Sequence, residues 1–373
     1  MYAPVSDDGV STCGSWFLRL FRPRFWKFLL ILIMLMFIIH ISYNILHFKV
    51  FVNFKFRSDI QSTEQSVNKS LSSKTKTNEM SVNPVNNNNN NTATGKALTE
   101  GLLNKEKKRC PPVPPNLVGT VKVNLTVPPL AEQEKNHPEL EPGGRYRPPS
   151  CLARHRVAII IPYRNRSEHL PVFFNHIHQI LQKQQLDYSI YIVEQSANGK
   201  FNRAMLMNVG ALEALKLYEY DCFIFHDLDL LPEDDRNLYT CPEQPRHMSV
   251  AVDTLNYRLP YQNIFGGVCA LTVDQFEAVN GFSNKFWGWG GEDDDMFNRI
   301  KFHGFFVTRY PTDIARYKML SHKKDTPNPH RFQNIYDGKK RFKTDGLNSA
   351  KYKVLDVQLS RLYTRVHVDL LSS

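Results

Sequence analysis

From Val157 onward the sequence predicts an α/β fold. Two observations predict it: short, fully apolar runs of strand length recur along the chain, and between them lie stretches whose apolar residues repeat at helical spacing. The first run, VAIII at 157–161, reads as a buried strand ending at Pro162. Leu170, Phe173, Phe174, Ile177 and Ile180 then give residues 168–184 the stripe of an amphipathic helix. YSIYIVEQ at 188–195 is a second strand, 201–217 a second helix, and CFIFHDLDLL at 222–231 a third strand. Farther on, the acids EDDD at 292–295 run into MFNRI at 296–300, the opening of a helix, where capping and the macrodipole favour negative charge. No internal repeat is visible.

A chain of 373 residues, 42% of them hydrophobic, holds one large domain or two ordinary ones with ample material for a core. The formal net charge is +11, but the basic residues are dispersed in short groups such as 105–109 and 339–343. No nucleic-acid motif accompanies them, so nucleic acid is not an expected partner.

The sequence divides into four segments. Residues 26–48, with the wholly apolar FLLILIMLMFII at 28–39, are about long enough to cross a bilayer. A cleaved signal peptide is the alternative, but the bulky residues that follow offer no small-residue cleavage site. Arg19, Arg22, Arg24 and Lys27 precede the apolar run and only Lys49, Lys55 and Arg57 follow the span closely, which predicts a cytosolic tail at 1–25 and a type II membrane protein. Residues 49–108, rich in Ser, Thr, Asn and Lys, cannot bury enough apolar surface to offset ordering and read as a flexible lumenal stem. Residues 109–373 form the lumenal domain, opening with a Pro-rich extended stretch between Cys110 and Cys151. Sequons at Asn68, Asn90 and Asn124 agree with that setting. Of six cysteines, Cys13 falls on the cytosolic side; Cys110 with Cys151 and Cys222 with Cys241 are compatible pairs, and Cys269 in an apolar run reads as a buried thiol.

Several clusters could carry chemistry. Asp227 and Asp229 stand two apart where an apolar run ends, as ligands in open sheets bind beyond the carboxyl ends of strands. Two hard oxygen donors there suit Mg²⁺ or Mn²⁺, although an acidic pair opening a surface turn is the plainer alternative. Met319 and His322, three apart, could aim at one point, but each residue type is more often structural. Arg164, Arg166 and Arg203 sit at a strand end and a helix start, where guanidinium groups can clamp an anionic nucleotide. Helix capping explains one or two of the acids at 292–295. It does not explain Trp287 and Trp289 set among Gly288, Gly290 and Gly291, an aromatic segment suited to stacking on sugars or closing as a lid.

Seven long motifs stand in order: AIIIPYRNR (158–166), FNRAMLMNVG (201–210), FHDLDLLP (225–232), FGGVCALT (265–272), FWGWGGEDDDMFNRI (286–300), PNPHRF (327–332) and DGLNSAKYKVLDV (345–357). On these the chain from about Cys110 to its end resembles the β-1,4-galactosyltransferase family of the animal Golgi, including its β-1,4-N-acetylgalactosaminyltransferase branch. The resemblance implies a nucleotide-sugar glycosyltransferase type A fold with a Rossmann-like mixed sheet, preceded by one transmembrane helix and a disordered stem. It places the catalytic domain in the Golgi lumen. It implies that Pro162, Tyr163, Arg164, Asn165, Arg166, Phe201, Asn202, Arg203, Asp227 and Leu228 hold the uridine nucleotide. Asp229, Met319 and His322 would be ligands of Mn²⁺, with Asp229 and His322 also at the donor, and Tyr261, Ile264 and Trp289 would line the donor sugar. Gly291, Glu292, Asp293 and Asp294 would bind an acceptor N-acetylglucosamine, whose N-acetyl group Arg331, Phe332 and Ile335 would receive. Both cysteine pairs match disulfides of the family.

The implied chemistry suits these residue types. A sugar leaves its diphosphate only if the departing charge is neutralised, which a metal does as a Lewis acid. The attacking 4-hydroxyl needs a base; Asp293 would supply it, and a single in-line displacement would invert the anomeric centre. Asp295 keeps the plain role of an acid in a first helical turn. Members that transfer galactose carry Tyr immediately before Phe-Gly-Gly, where this chain has Ile264. A shorter aliphatic side chain leaves room for a 2-acetamido group, so the expected reaction is transfer of N-acetylgalactosamine from UDP-GalNAc to terminal β-linked N-acetylglucosamine on glycoproteins or glycolipids. UDP-galactose with the same acceptor is the alternative, and a lectin without turnover is a more distant one.

Overall fold

A computed structural model describes residues 107–371 except Lys324. The expected tail, anchor and most of the stem lie outside the described residues, as do Cys13, Asn68 and Asn90. Among the described residues no helix is long and apolar enough to cross a membrane.

The apolar run at 157–161 is the centre of strand β1 (Arg156–Tyr163), which pairs in parallel with β2 (Asp187–Gln195) and β3 (Cys222–His226). Its side chains alternate between faces. Val157, Ile159 and Ile161 enter one core with helix α1 (His169–Lys183), whereas Ala158 and Ile160 enter the other with helix α2 (Arg203–Leu217). A strand covered on both faces has to be apolar at every position, which is why the run reads as continuous rather than alternating. Each fully buried Val or Ile contributes on the order of 1.5–3 kcal/mol.

The sheet has seven strands. Beside β3 it adds β7 (Val268–Thr272), antiparallel to β3, and then the short β5 (Arg246–His247), antiparallel to β7; beyond β2 it adds β10 (Thr364–Leu370), parallel to β2, and β9 (Tyr352–Leu359), antiparallel to β10. A second sheet holds β4 (Leu230–Pro232), β8 (Arg316–Met319) and β6 (Ala251–Val252). A short helix, 130–136, lies in the Pro-rich segment. Both expected disulfides are present, Cys110–Cys151 and Cys222–Cys241, and Cys269 is a buried free thiol.

Two strand expectations need correction. Strand β1 does not end at Pro162 but continues to Tyr163, both residues remaining paired with β2. Pairing with β3 stops at Ile160, so the missing proline N–H falls beyond the point where β3 has left the sheet. The expected strand at 222–231 is two strands in two sheets, separated by a turn over 227–229 in which Leu230 N donates to Asp227 O at 3.1 Å. Asp227 and Asp229 therefore do not share one strand face.

Candidate functional site

The turn after β3 parts the two aspartates, and each meets a different partner. Arg203, the first residue of α2, donates from Nε to Asp227 Oδ1 at 2.6 Å, from Nη1 to Glu292 Oε1 at 3.3 Å and from Nη2 to the Gly267 carbonyl at 3.3 Å. Burial would lower its pKa, but the charges of Asp227 and Glu292 outweigh this and keep the guanidinium protonated. One side chain thereby joins the Asp-Leu-Asp turn to the acidic run far along the chain.

Asp229 faces the other way. Its Oδ2 lies 2.7 Å from His322 Nε2 and 3.4 Å from Arg166 Nη1. Antiparallel pairing produces this meeting: Leu230 opposes Met319, and Leu320 N donates to the Asp229 carbonyl at 2.7 Å. The ladder sets Met319 opposite the residue after the aspartate, and the chain beyond it carries His322 to the carboxylate, which spacing alone did not reveal. Thr254 Oγ1 donates to Met319 Sδ at 3.5 Å. Among the described residues no group of three or more His, Cys, Asp or Glu could hold a metal ion. A divalent ion at Asp229 and His322 would need the Met319 thioether, or oxygens of a bound ligand, to complete its shell. A carboxylate and an imidazole are donors that suit Mn²⁺; the soft thioether is the unusual third.

Helix α3 (Glu292–Phe302) follows Gly291 as its N-cap, and all four acids occupy its first turn. They are not equivalent. Burial raises the Glu292 pKa, opposed chiefly by Arg203. Asp293 is pushed up to about 7, by burial first and then by the charges of Glu292 and Asp294. Asp294 is also raised by burial, against a hydrogen bond from Tyr261. Asp295 is fully buried and accepts from Arg299 Nε at 2.7 Å, one turn along the helix. Three acids thus sit at the cavity, while the fourth locks the helix into the core.

The segment before α3 needs its glycines. Gly288, Gly290 and Gly291 all have φ between 92° and 98°, in the left-handed region that side chains rarely adopt. A Cβ on Gly291 would come within 2.9 Å of Phe286 and 3.2–3.3 Å of Arg331 and Ile335. Trp289 is 60% exposed, its backbone pinned by Trp289 N to Thr326 O at 3.1 Å and Asn328 N to Trp289 O at 2.9 Å. Arg331, the first residue of helix α4 (Arg331–Arg341), holds its guanidinium over the rings of Trp289 (5.8 Å) and Phe332 (4.5 Å). Trp287 differs from Trp289: it packs against the core.

Every residue anticipated for donor, acceptor or metal lines one cavity of about 860 Å³, with a single exception. The exception is Asn202. It is fully buried as the N-cap of α2, its Oδ1 accepting from Met205 N at 2.9 Å and its Nδ2 donating to Asn284 O at 2.9 Å. Its side chain serves the helix rather than a ligand. The cavity also includes His247, Ser249, Gly266 and Thr326, which the sequence did not single out as site residues. Gly266 stands within FGGVCALT, and in the structure a Cβ there would sit 2.6 Å from Asp293 Oδ2. No local pattern marked the other three.

Two family profiles match the chain: one described as the N-terminal region of glycosyl transferase group 7, over residues 110–242, and one described as the N-terminal domain of galactosyltransferase, over 246–323. β-1,4-Galactosyltransferase 1 of Mus musculus is 50% identical over 276 residues, 73% of this chain and 69% of the relative. β-1,4-Galactosyltransferase 3 of Homo sapiens is 49% identical over 266 residues, 70% and 68% of the two chains. Among solved structures, the catalytic domain of Drosophila β-1,4-galactosyltransferase 7 with xylobiose superposes with a TM-score of 0.51 at 31% identity, covering 59% of this chain and 95% of that one. A mutant of that enzyme has been solved with manganese, UDP-Gal and xylobiose, with a TM-score of 0.51 at 30% identity over the same shares.

Proposed function

Because this chain belongs to the β-1,4-galactosyltransferase family and has the mixed sheet of a type A glycosyltransferase, we propose that it transfers N-acetylgalactosamine from UDP-GalNAc to the 4-hydroxyl of a terminal β-linked N-acetylglucosamine. The observation that supports this donor is Ile264, half-buried in the cavity wall, where an aliphatic side chain leaves space for a 2-acetamido group. The arginines at 164, 166 and 203 suit a pyrophosphate, and the Trp289, Phe332 and Ile335 surfaces suit the acceptor. Asp229, Met319 and His322 would hold Mn²⁺, which when bound neutralises the charge gathering on the departing diphosphate.

Asp293 takes the proton of the acceptor 4-hydroxyl. The freed oxygen forms its bond to the donor anomeric carbon from the face opposite UDP as the carbon–phosphate oxygen bond breaks, turning an α-linked donor into a β-linked product. A carboxylate whose pKa stands near 7 accepts a proton far better than an ordinary aspartate. Glu292, held by Arg203, and Asp294, held by Tyr261, orient the acceptor around it. Two disulfides in the described domain fit an oxidising compartment, so we assign the catalytic domain to the Golgi lumen, on a type II anchor.

The test is a donor panel with the full chain in detergent, Mn²⁺ and an N-acetylglucosaminide. UDP-GalNAc should be the better substrate, and Ile264→Tyr should shift preference toward UDP-galactose by about tenfold or more. A second reading, UDP-galactose as the natural donor, is favoured by the names of the relatives. Equal or better use of UDP-galactose by the unaltered chain would establish that reading and remove the first.

A further inference from the structure

The loop bearing Tyr261 and Ile264 is held from behind by a residue that does not line the cavity. Arg309 follows Thr308, whose backbone bonds Pro245 and His247 beside β5: His247 N donates to Thr308 O at 3.0 Å and Thr308 N to Pro245 O at 2.9 Å. From this fixed base Arg309 Nη2 donates to the carbonyls of Gln262 and Ile264, each at 2.9 Å. Its Nε donates to His247 Nδ1 at 3.1 Å. Among the described residues no carboxylate forms an ion pair with Arg309, so its donors are directed at backbone carbonyls and a neutral ring.

His247 completes the support. It is fully buried, and burial together with the adjacent Arg309 charge pushes it down to about 3, so it accepts at Nδ1 without competing for a proton. Its Nε2 lies 3.4 Å from Ser249 Oγ, which donates to the Gly266 carbonyl at 3.1 Å and accepts from Val268 N at 2.9 Å. Gly266 is the residue against which Asp293 Oδ2 rests. Within the loop the backbone bond is long, Ile264 N to Tyr261 O at 3.4 Å, and the Tyr261 side chain bonds Asp294 on its far side.

We propose that Arg309 is a positioning residue for the donor sugar: by fixing the carbonyls of Gln262 and Ile264 against the His247–Ser249–Gly266 chain, it presents the sugar-facing loop in one conformation. Among the described residues Arg309 makes no hydrogen bond to the nucleotide half of the cavity, built from β1, α2 and the turn after β3; its bonds go to His247, Gln262 and Ile264. Loss of the clamp therefore weakens recognition of the sugar and spares that of UDP, because a loosened loop must be ordered again on binding. This inference rests on the donor site proposed above but not on which sugar is preferred.

The experiment compares the full chain, Arg309→Ala and Arg309→Lys in detergent with Mn²⁺, measuring affinity for UDP, UDP-GalNAc and UDP-galactose by titration calorimetry and the folded state by thermal unfolding. In the alanine variant, UDP affinity should stay within about twofold while both UDP-sugars bind about tenfold more weakly, the order expected for re-ordering a loosened loop on binding. Lysine, which reaches only one carbonyl, should fall between. Equal losses for UDP and UDP-sugars, or no loss in a folded variant, would overturn the proposal. If the alanine variant does not fold, the lysine variant is read by the same comparison, and unaltered sugar affinity there overturns it. A chain that prefers galactose removes the N-acetylgalactosamine reading but leaves the clamp standing, provided UDP-galactose loses affinity and UDP does not.

Discussion

Asp293 and Asp295 are two residues apart in one helical turn and do opposite work. Asp293 is raised to about 7 by burial and its acidic neighbours, so its ionised form is costly in the folded protein. With the folded pKa above the unfolded one, the favourable contribution of the protonated group is complete below the ordinary carboxylate range and disappears as pH rises through about 7. Activity has the opposite sign, since only the carboxylate can act as base. The acid limb of kcat/KM should therefore have its midpoint near 7, where an ordinary aspartate would put it near 4. Asp293→Asn should lose about 10²-fold or more of turnover, keep its UDP affinity, and melt no lower than the parent at pH 8. Retained turnover, or an acid limb near 4, would exclude Asp293 as the base; a chain with no turnover to lose would be a lectin.

The same turn belongs to an element whose placement depends on its buried face. Arg299 and Asp295 are both fully buried, and Arg299 also lies 3.7 Å from Asp345. Gly338 of α4 approaches so closely that a Cβ there would be 2.3 Å from Asp295 Oδ1. Asp295→Ala should leave a buried guanidinium short of its partner and cost about 3–5 kcal/mol, read as a lower denaturation midpoint. The contrast with Asp293→Asn is the informative outcome, because equal destabilisation by both would deny the division of labour. Periodicity showed that α3 starts at these acids, yet it could not rank them. Ranking required α4 and the loop at 262–267, which reach α3 from distant parts of the sequence.

At the scale of the molecule, the site is a meeting of two sheets. Strand β3 belongs to the large sheet and β4 to the small one, and the chain between Cys222 and Cys241 carries the turn that holds Asp227 and Asp229. Replacing both cysteines by alanine should cost about 3 kcal/mol, the order for a closed loop of this length, and should weaken UDP binding as well. Removing Cys110–Cys151 should lower stability while leaving UDP affinity intact, because that bridge ties the Pro-rich segment rather than the turn. If both losses affected UDP alike, the turn would not be the point of coupling.

The sequence alone determined the α/β class, the positions of β1, β2 and the two long helices, and the set of chemically unusual clusters. Those features follow from local periodicity and from residue types that a plain surface does not need. Its motif order also led to the family. Tertiary structure decided the rest. Asp227 and Asp229 part because the chain changes sheets between them; an antiparallel ladder sets Met319 opposite Leu230 and His322 follows it to Asp229; Asn202 turns inward to cap a helix; and Arg309 lies at the back of the donor loop. Each depends on contacts between residues distant in sequence, which spacing along the chain does not encode.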